Sequence, residues 1–147
     1  MSVDSEFAGS GQTPAVTEAL KHLRAPAEAA SSNAHAPYSG YHVGAALIDV
    51  DGAIYAACNV ESASYGLTQC AERNALGSAI SAGVRPGTLE AIVIYIPGDE
   101  PIAPCGACRQ VMRELMAPHA VAVSCCDGEA TQAWTLEELL PAAFLGR

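Results

Sequence analysis

Apolar residues recur at helical spacing in the N-terminal part of the chain. From Thr13 to about Asn33 they fall on one face of a helix, and Pro14 suits its first turn. Pro26 lies inside the same stretch, where its missing N–H and its ring disfavour helix. The pattern therefore predicts an amphipathic helix that Pro26 kinks or shortens.

Two apolar, strand-like runs follow at residues 43–50 and 53–60, and the pair Asp51-Gly52 joins them. This pair is the strongest short-range signal for a tight hairpin. The two runs therefore predict neighbouring antiparallel strands.

The rest of the chain alternates between helical and strand-like patterns. Helical spacing and capping residues predict helices, and short apolar runs predict buried strands. In order, these are a helix over 67–82 ending near Gly83, a strand over 91–96, a helix over 106–116 closed by Pro118, a strand over 120–125 and a helical turn over 136–140. Because right-handed crossovers place parallel strands side by side, this order predicts an α/β fold with a mixed sheet and helices on both faces.

The length of the chain fits one compact domain with a real core, since it has 147 residues of which 50% are hydrophobic. Residues 1–12 mix small polar residues with acids, so we expect a flexible N-terminal tail followed by a folded domain over 13–147. No apolar run approaches the ~20 residues that span a bilayer, and the first residues do not resemble a secretory signal. We therefore expect a cytoplasmic protein without a membrane partner.

The charge argues against a nucleic-acid polymer as a partner. Sixteen acidic and seven basic side chains give a formal net charge of −9, which repels a phosphate backbone. Solubility alone explains the acidity equally well, so the charge excludes more than it identifies.

The six cysteines leave three alternatives open, namely a disulfide framework, redox chemistry and metal binding. A disulfide framework needs an oxidising compartment and usually a smaller, loop-rich chain. Cys105 and Cys108 have the spacing at which two thiolates bind one metal from a loop entering a helix. The same spacing also fits a thioredoxin-like pair or a fragment of a structural zinc site.

The segment Cys70-Ala71-Glu72 favours a catalytic metal site. It stands at the start of another predicted helix, so two helix N-termini can converge on one centre and favour thiolates there. Three protein ligands leave the fourth tetrahedral position open to water, whereas a structural zinc site would fill it with another Cys or His. The sequence therefore indicates a zinc site with Cys70, Cys105 and Cys108 as ligands.

Other residues bear on this site. Cys58, Cys125 and Cys126 could supply a fourth ligand, but their apolar, strand-like surroundings are typical of buried thiols. Three thiolates give the zinc centre a net negative charge, and Arg73 is the natural donor of hydrogen bonds to the sulfurs, although a surface arginine is the alternative.

Residues 70–73 and 104–110 together resemble the small, homotetrameric, zinc-dependent cytidine deaminases, whose zinc signature is closely similar. The resemblance covers nearly the whole chain after the tail and includes 37–39, 43–46, 58–65 and 138–144. It implies a three-layer α/β/α fold with a mixed, about five-stranded sheet. It also implies one zinc ion per chain and a homotetramer with active sites at subunit interfaces.

The activity implied by the resemblance is hydrolytic deamination of cytidine and 2′-deoxycytidine to uridine and 2′-deoxyuridine, with release of ammonia, in pyrimidine salvage. Glu72 would be the catalytic residue, taking a proton from zinc-bound water and passing it to ring nitrogen N3 as hydroxide attacks C4.

Substrate-binding roles are also implied by the resemblance alone. Asn59 and Glu61 would bind the ribose 3′-hydroxyl, and the amide of Ala71 would donate to the pyrimidine carbonyl. A further group would complete the nucleoside site, partly from a neighbouring subunit: Ala63 and Tyr65 at the ribose, Phe144 stacked on the base, and Tyr41 beside the nucleoside. Tyr41 departs from the phenylalanine usual in this family; the ring is retained and a hydroxyl is added.

Two alternatives to cytidine deamination follow from the same residues. A structural zinc or redox module would explain the cysteines, but not the glutamate two places after the first ligand. A deaminase for another aminopyrimidine compound, such as blasticidin S, would use the same zinc chemistry. By the family resemblance, Glu61 after Asn59 favours an ordinary ribose or deoxyribose.

Overall fold

The computed structural model describes residues 12–146. Of the predicted tail, only Gln12 falls within this range; its amide donates to the Thr131 hydroxyl at 3.0 Å, and the rest lies outside the described residues. Four helices and five strands follow in the order α1 Pro14–Ser31, β1 Gly44–Asp49, β2 Ile54–Cys58, α2 Ala71–Ser81, β3 Leu89–Tyr95, α3 Gly106–Leu115, β4 Met116–Cys125, β5 Thr131–Thr135 and α4 Leu136–Leu139. No helix in this range is long and apolar enough to cross a membrane.

The five strands form one mixed sheet in the order β2-β1-β3-β4-β5. β3 and β4 are parallel, and the other neighbouring pairs are antiparallel. The hairpin between β1 and β2 turns at Asp51-Gly52, as the sequence predicts; Gly52 adopts φ 86° and the Asp49 carboxylate accepts hydrogen bonds from two amides of the turn. The prediction of a mixed, five-stranded sheet is confirmed.

The sheet separates two apolar layers. On one side of the sheet, residues such as Ala46 and Val93 face α1. On the other side, the alternating residues such as Leu47 and Ile92 face α2, α3 and α4. Burial on both faces explains why β3 is an almost continuous apolar run rather than an alternating one. The three-layer α/β/α arrangement is therefore confirmed.

Several element boundaries differ from the prediction. α1 continues through Pro26 to Ser31, because Leu23 and Ala27 on either side of it are fully buried against the sheet. α2 begins at Ala71 rather than Leu67, since Tyr65–Leu67 forms a separate 3-10 turn. In both places tertiary packing and local turns override the helical spacing of the apolar residues.

The C-terminal half also differs in two places. α3 ends at Leu115 and β4 begins at the next residue, so Pro118 lies in a strand rather than closing the helix. β5 pairs only with Val121–Cys125, so the missing N–H of Pro118 removes no bond to that strand. β5 itself has no counterpart among the individual runs read from the sequence, because its five residues include only Ala133 and Trp134 as apolar side chains.

Gly44, at the start of β1, lies directly against α1. A Cβ atom at this position would stand 1.8 Å from the Ala27 carbonyl oxygen and 2.8 Å from the Ser31 amide nitrogen. Both contacts are with backbone, which cannot rotate away. The close approach of helix and strand therefore requires glycine at this position.

We expect Gly44→Ala to destabilise the protein by about 1–3 kcal/mol or more, because the helix must move off the sheet. Thermal unfolding measures the effect, at roughly 2–4 °C per kcal/mol. The matched control is Gly77→Ala within α2, where an added Cβ meets nothing within 4 Å and should stabilise the helix by about 0.5–1 kcal/mol. Equal melting temperatures for Gly44→Ala and the unchanged protein would contradict this account of the α1–β1 contact.

Candidate metal centre and active site

Three cysteines converge where two helices begin. Cys70 is the N-cap of α2, Cys105 is the N-cap of α3, and Cys108 is buried in the first turn of α3. Their sulfur atoms all lie within 4.8 Å of one another, with Cys70 Sγ 3.9 Å from Cys105 Sγ and Cys105 Sγ 3.5 Å from Cys108 Sγ. Sulfurs held about 2.3 Å from a tetrahedral zinc ion lie about 3.8 Å apart, so the three thiols fit zinc.

The N-cap positions explain how the chain builds this cluster. The carbonyls of Cys70 and Cys105 accept the first intrahelical bonds, from Asn74 and Arg109, both at 3.0 Å. Neither cysteine side chain makes a capping bond to its own helix, so both thiols remain available to a metal. The N–H groups and dipoles of the two helices favour negative charge at this point.

The charges of the cluster are set mainly by hydrogen bonds. The pKa of Cys70 is lowered to about 5, mainly by the hydrogen bond from Cys108 and to a smaller extent by the hydrogen bond from Arg73. Burial opposes this shift. The same bond to Cys70, together with burial, raises the pKa of Cys108. The hydrogen bonds therefore favour the thiolate form of Cys70, which is the form that binds a metal.

Arg73 lies beside the cluster, as the sequence predicts for a donor to the sulfurs. Its Nη2 atom is 3.4 Å from Cys70 Sγ and 3.4 Å from the Thr68 carbonyl oxygen. The hydrogen bond to the Cys70 thiolate is the main cause of a raised Arg73 pKa. The guanidinium therefore offsets part of the negative charge of the thiolates.

Glu72 is a buried carboxyl group next to the cysteines. Its residue is 4% exposed, although charged side chains are rarely buried without a partner. The pKa of Glu72 is raised to about 7, mainly by burial and to a smaller extent by the negative charge at Cys70. A carboxyl group with such a pKa can both accept and donate a proton near neutral pH.

Asn59 and Glu61 lie on a segment that runs past the cluster. Val60 pairs with Gln69, the residue before Cys70, through two backbone bonds of 2.9 Å. The Asn59 amide donates to the Tyr41 carbonyl at 2.8 Å and accepts from the Val43 amide at 2.9 Å. The backbone bridge therefore ties the segment of Asn59 and Glu61 to the residue before Cys70, and the contact of both side chains with a ribose stays a prediction.

The Glu61 carboxylate is fixed by the loop before β1. It accepts hydrogen bonds from the Tyr38 amide at 2.9 Å, the Ser39 amide at 3.2 Å and the Ser39 hydroxyl. The Ser39 hydroxyl is the main cause of a lowered Glu61 pKa. Glu61 is therefore an ionised, acceptor-only group.

The remaining predicted binding residues divide into one buried residue and an exposed group. Ala71 is buried at the first position of α2, where its N–H has no intrahelical partner and is free to donate to a ligand. The exposed group comprises Tyr41, Ala63, Tyr65 and Phe144, with Tyr65 at 76% and Phe144 at 77% exposure. Their roles in substrate binding stay predictions.

Some residues that organise the site were not assigned roles from the sequence. Ser39 holds Glu61, Asn74 donates to the Cys58 carbonyl at 2.9 Å, and Gln110 donates to the Phe144 carbonyl at 2.7 Å. Arg109 bonds the Pro104 carbonyl at 2.7 Å and the Leu139 carbonyl at 3.2 Å, which ties the Cys105 loop to the C-terminal segment. Residues 39, 109 and 110 lie within the motifs that carry the family resemblance, and this position in the motifs was the sequence signal that could have identified them.

The other three cysteines are not part of the metal cluster. Among the described residues, the group that could hold a metal contains only Cys70, Cys105 and Cys108. Cys125 packs in the layer on the α1 side of the sheet, and the buried Cys126 thiol donates to the Ala130 carbonyl. Both are buried as predicted, whereas Cys58 is only half-buried at the end of β2.

Comparison with known proteins agrees with this geometry. Residues 17–125 match the family described as the cytidine and deoxycytidylate deaminase zinc-binding region. A cytidine deaminase from Halalkalibacterium halodurans is 47% identical over 116 residues, which are 78% of this chain and 86% of that protein.

Two crystal structures of cytidine deaminases have the same fold. The enzyme from Burkholderia pseudomallei has a TM-score of 0.79 and 46% identity, with 90% of this chain and 100% of that chain covered. The enzyme from Mycobacterium tuberculosis has a TM-score of 0.69 and 35% identity, with 84% of this chain and 95% of that chain covered. With its three thiols at zinc spacing beside a buried glutamate, the chain belongs to the zinc-binding cytidine and deoxycytidylate deaminase family.

Proposed function

We propose that the protein deaminates cytidine and 2′-deoxycytidine hydrolytically, giving uridine or 2′-deoxyuridine and ammonia, in pyrimidine salvage in the cytoplasm. The observation that carries this proposal is a cluster of three cysteines, without a fourth protein ligand in residues 12–146, beside the buried carboxyl group of Glu72. The relatives compared above are cytidine deaminases. A structural zinc module is not favoured, because it would use a fourth ligand and would not bury a carboxyl group there.

Each residue of the centre has a distinct task in this reaction. When bound, zinc supplies an activated water molecule. Glu72 would accept a proton at its buried carboxylate and donate it to N3 of the pyrimidine, and the near-neutral pKa that burial produces suits both transfers. The backbone N–H of Ala71 orients the base by donating to the carbonyl oxygen of the pyrimidine. Arg73 stabilises the Cys70 thiolate.

The charges of the chain favour a nucleoside over a nucleotide. The family description covers both cytidine and deoxycytidylate deaminases, and deoxycytidylate carries a phosphate that needs a cation. Within residues 12–146, five of the six basic side chains are engaged elsewhere: Lys21 with Glu18, Arg24 with Cys126, Arg73 with Cys70, Arg109 with Pro104 and Leu139, and Arg113 with Glu137.

The sixth basic side chain, Arg85, lies beyond the C-terminal end of α2, whereas Cys70 precedes the first residue of that helix. The nucleoside side of the site instead presents the Glu61 carboxylate, which repels a phosphate. We therefore propose free nucleosides, and neither nucleotides nor a nucleic-acid polymer, as substrates.

An absorbance assay tests the proposed function directly. Cytidine and 2′-deoxycytidine should lose absorbance as they are deaminated, whereas deoxycytidylate, free cytosine and blasticidin S should react at least about 100-fold more slowly. Release of ammonia confirms hydrolysis. Turnover of blasticidin S in preference to cytidine would replace the proposed substrate, and a zinc-loaded protein inert to all five compounds would refute the proposed function.

We also propose that the protein is a homotetramer whose sites are shared between subunits. Tyr65 and Phe144 are 76% and 77% exposed in the single chain, which leaves both rings accessible to a neighbouring subunit. Gln110 holds the backbone of Phe144 in place, so this residue near the C terminus is not simply frayed.

Replacing Phe144 tests the shared site. Phe144→Ala should remove a base-stacking contact worth about 1–3 kcal/mol and raise KM for cytidine roughly tenfold or more, without loss of zinc. Val50→Ala, at another exposed apolar side chain on the β1–β2 turn, is the control and should leave KM unchanged.

Reassembly of mixed subunits gives a second measurement. An inactive Glu72→Gln chain mixed with a Phe144→Ala chain should regain some fully active sites, because each chain supplies what the other lacks. A normal KM for Phe144→Ala, or a mixture no more active than its parts, would refute the shared site and leave the zinc chemistry unaffected.

A further inference from the structure

The hydroxyl group of Ser39 connects two groups on the proposed sugar side of the site. It donates to Glu61 Oε1 and accepts a hydrogen bond from the Tyr41 amide at 3.0 Å. A serine hydroxyl has a single proton to donate, so this one is committed to Glu61. Ser39 therefore fixes the Glu61 carboxylate and the backbone of Tyr41 relative to one another.

The Glu61 carboxylate has little capacity left for other donors. Its Oε2 atom accepts from the amides of Tyr38 and Ser39, and its Oε1 atom accepts from the Ser39 hydroxyl. An ionised carboxylate offers about four lone-pair positions. The one that remains is on Oε1, beside the Ser39 hydroxyl, and it suits a single hydroxyl donor from a ligand.

The other end of the same loop is held by Asn59. Its side chain bonds the Tyr41 carbonyl at 2.8 Å and the Val43 amide at 2.9 Å. The loop from Tyr38 to Val43 is thus fixed at both ends by the two residues expected to bind the sugar. Because residues 38–42 are exposed and include the left-handed Gly40, with φ 73°, these side-chain bonds rather than core packing hold the shape of the loop.

We propose that Ser39 is a positioning residue that directs Glu61 onto the 3′-hydroxyl of the nucleoside, so that the enzyme discriminates between nucleosides with and without this hydroxyl. This inference rests on the proposed cytidine deaminase function. Ser39 itself does not take part in the chemistry. Without the Ser39 hydroxyl, only the two backbone amides at Oε2 hold the Glu61 carboxylate, and its Oε1 atom is no longer fixed for a ligand.

The test compares cytidine with 3′-deoxycytidine in four proteins. These are the unchanged enzyme, Ser39→Ala, Ser39→Thr, and the control Ser78→Ala on the exposed face of α2. The quantity measured is the ratio of kcat/KM for cytidine to kcat/KM for 3′-deoxycytidine. We expect Ser39→Ala to lower this ratio about fivefold or more, through KM for cytidine, with kcat within about twofold.

The conservative variant separates positioning from a general structural role. Ser39 is exposed, so threonine keeps the hydroxyl with room for its methyl group, and Ser39→Thr should show the ratio of the unchanged enzyme, as should Ser78→Ala. Equal loss of activity on both substrates in Ser39→Ala, or an unchanged ratio, overturns the proposal. An unchanged enzyme that deaminates cytidine but does not prefer it over 3′-deoxycytidine also overturns it while leaving the proposed function intact. Inactivity of the unchanged enzyme on cytidine refutes both.

Discussion

Glu72→Gln is expected to lower kcat by at least about 10²-fold while zinc and nucleoside still bind. The amide of glutamine has nearly the shape of the carboxyl group and can hydrogen-bond, but it cannot carry a proton from water to the base, and such transfer contributes about 10²–10⁴-fold. The side chain is buried next to Cys70, so bulk water cannot replace it easily. Steady-state kinetics with cytidine, together with zinc analysis of the same preparation, measure the effect.

A matched control is Glu114→Gln, the same chemical change at an exposed position on α3, which should leave kcat unchanged. Retention of more than about a tenth of the original kcat by Glu72→Gln would remove this residue from its proposed role. Loss of zinc in the same variant would mean that Glu72 supports the metal rather than the proton transfer.

Removal of any one thiol of the cluster should cost the protein its zinc. In Cys70→Ala, Cys105→Ala and Cys108→Ala only two thiolates remain, and we expect zinc affinity to fall by more than about 100-fold, since even changes to groups outside the ligand set cost 10–100-fold. The unchanged protein should contain about one zinc per chain. Metal analysis after dialysis against a weak chelator gives the result.

Cys58→Ala is the control for this series, because Cys58 is a half-buried thiol outside the cluster. It should keep its zinc. Full zinc occupancy in all three cluster variants would contradict the ligand assignment, whatever their activity.

The elements that local signals specify could be predicted from the sequence. The helical spacing of α1, the Asp51-Gly52 turn and the buried run of β3 each depend on residues close in the chain. β5 could not be identified as a strand from its own five residues, because it forms only by pairing with β4. The early start of β4 at Met116 also follows from the sheet and not from the residues around Pro118.

The metal centre was predictable for a different reason. The spacing of three cysteines and a glutamate in the sequence indicates a metal site, and the structure confirms that the three sulfur atoms lie together. The network around Ser39 was not predictable, because it joins Glu61 to residues 22 and 23 positions earlier through loop backbone. No periodicity or composition encodes such contacts, which only the folded loop brings together.

The direct junction of α3 with β4 has a consequence for protein engineering. Leu115 ends the helix and Met116, which pairs with Leu89 of β3, begins the strand, so no loop separates the two elements. One inserted residue there would turn α3 by about 100° relative to the sheet and carry Cys105 and Cys108 away from Cys70. The turn at Asp51-Gly52 lies beside Gly83, at the end of α2 opposite Cys70, where an insertion leaves the sulfurs in place. A peptide tag or fused domain therefore belongs in that turn rather than at the helix–strand junction.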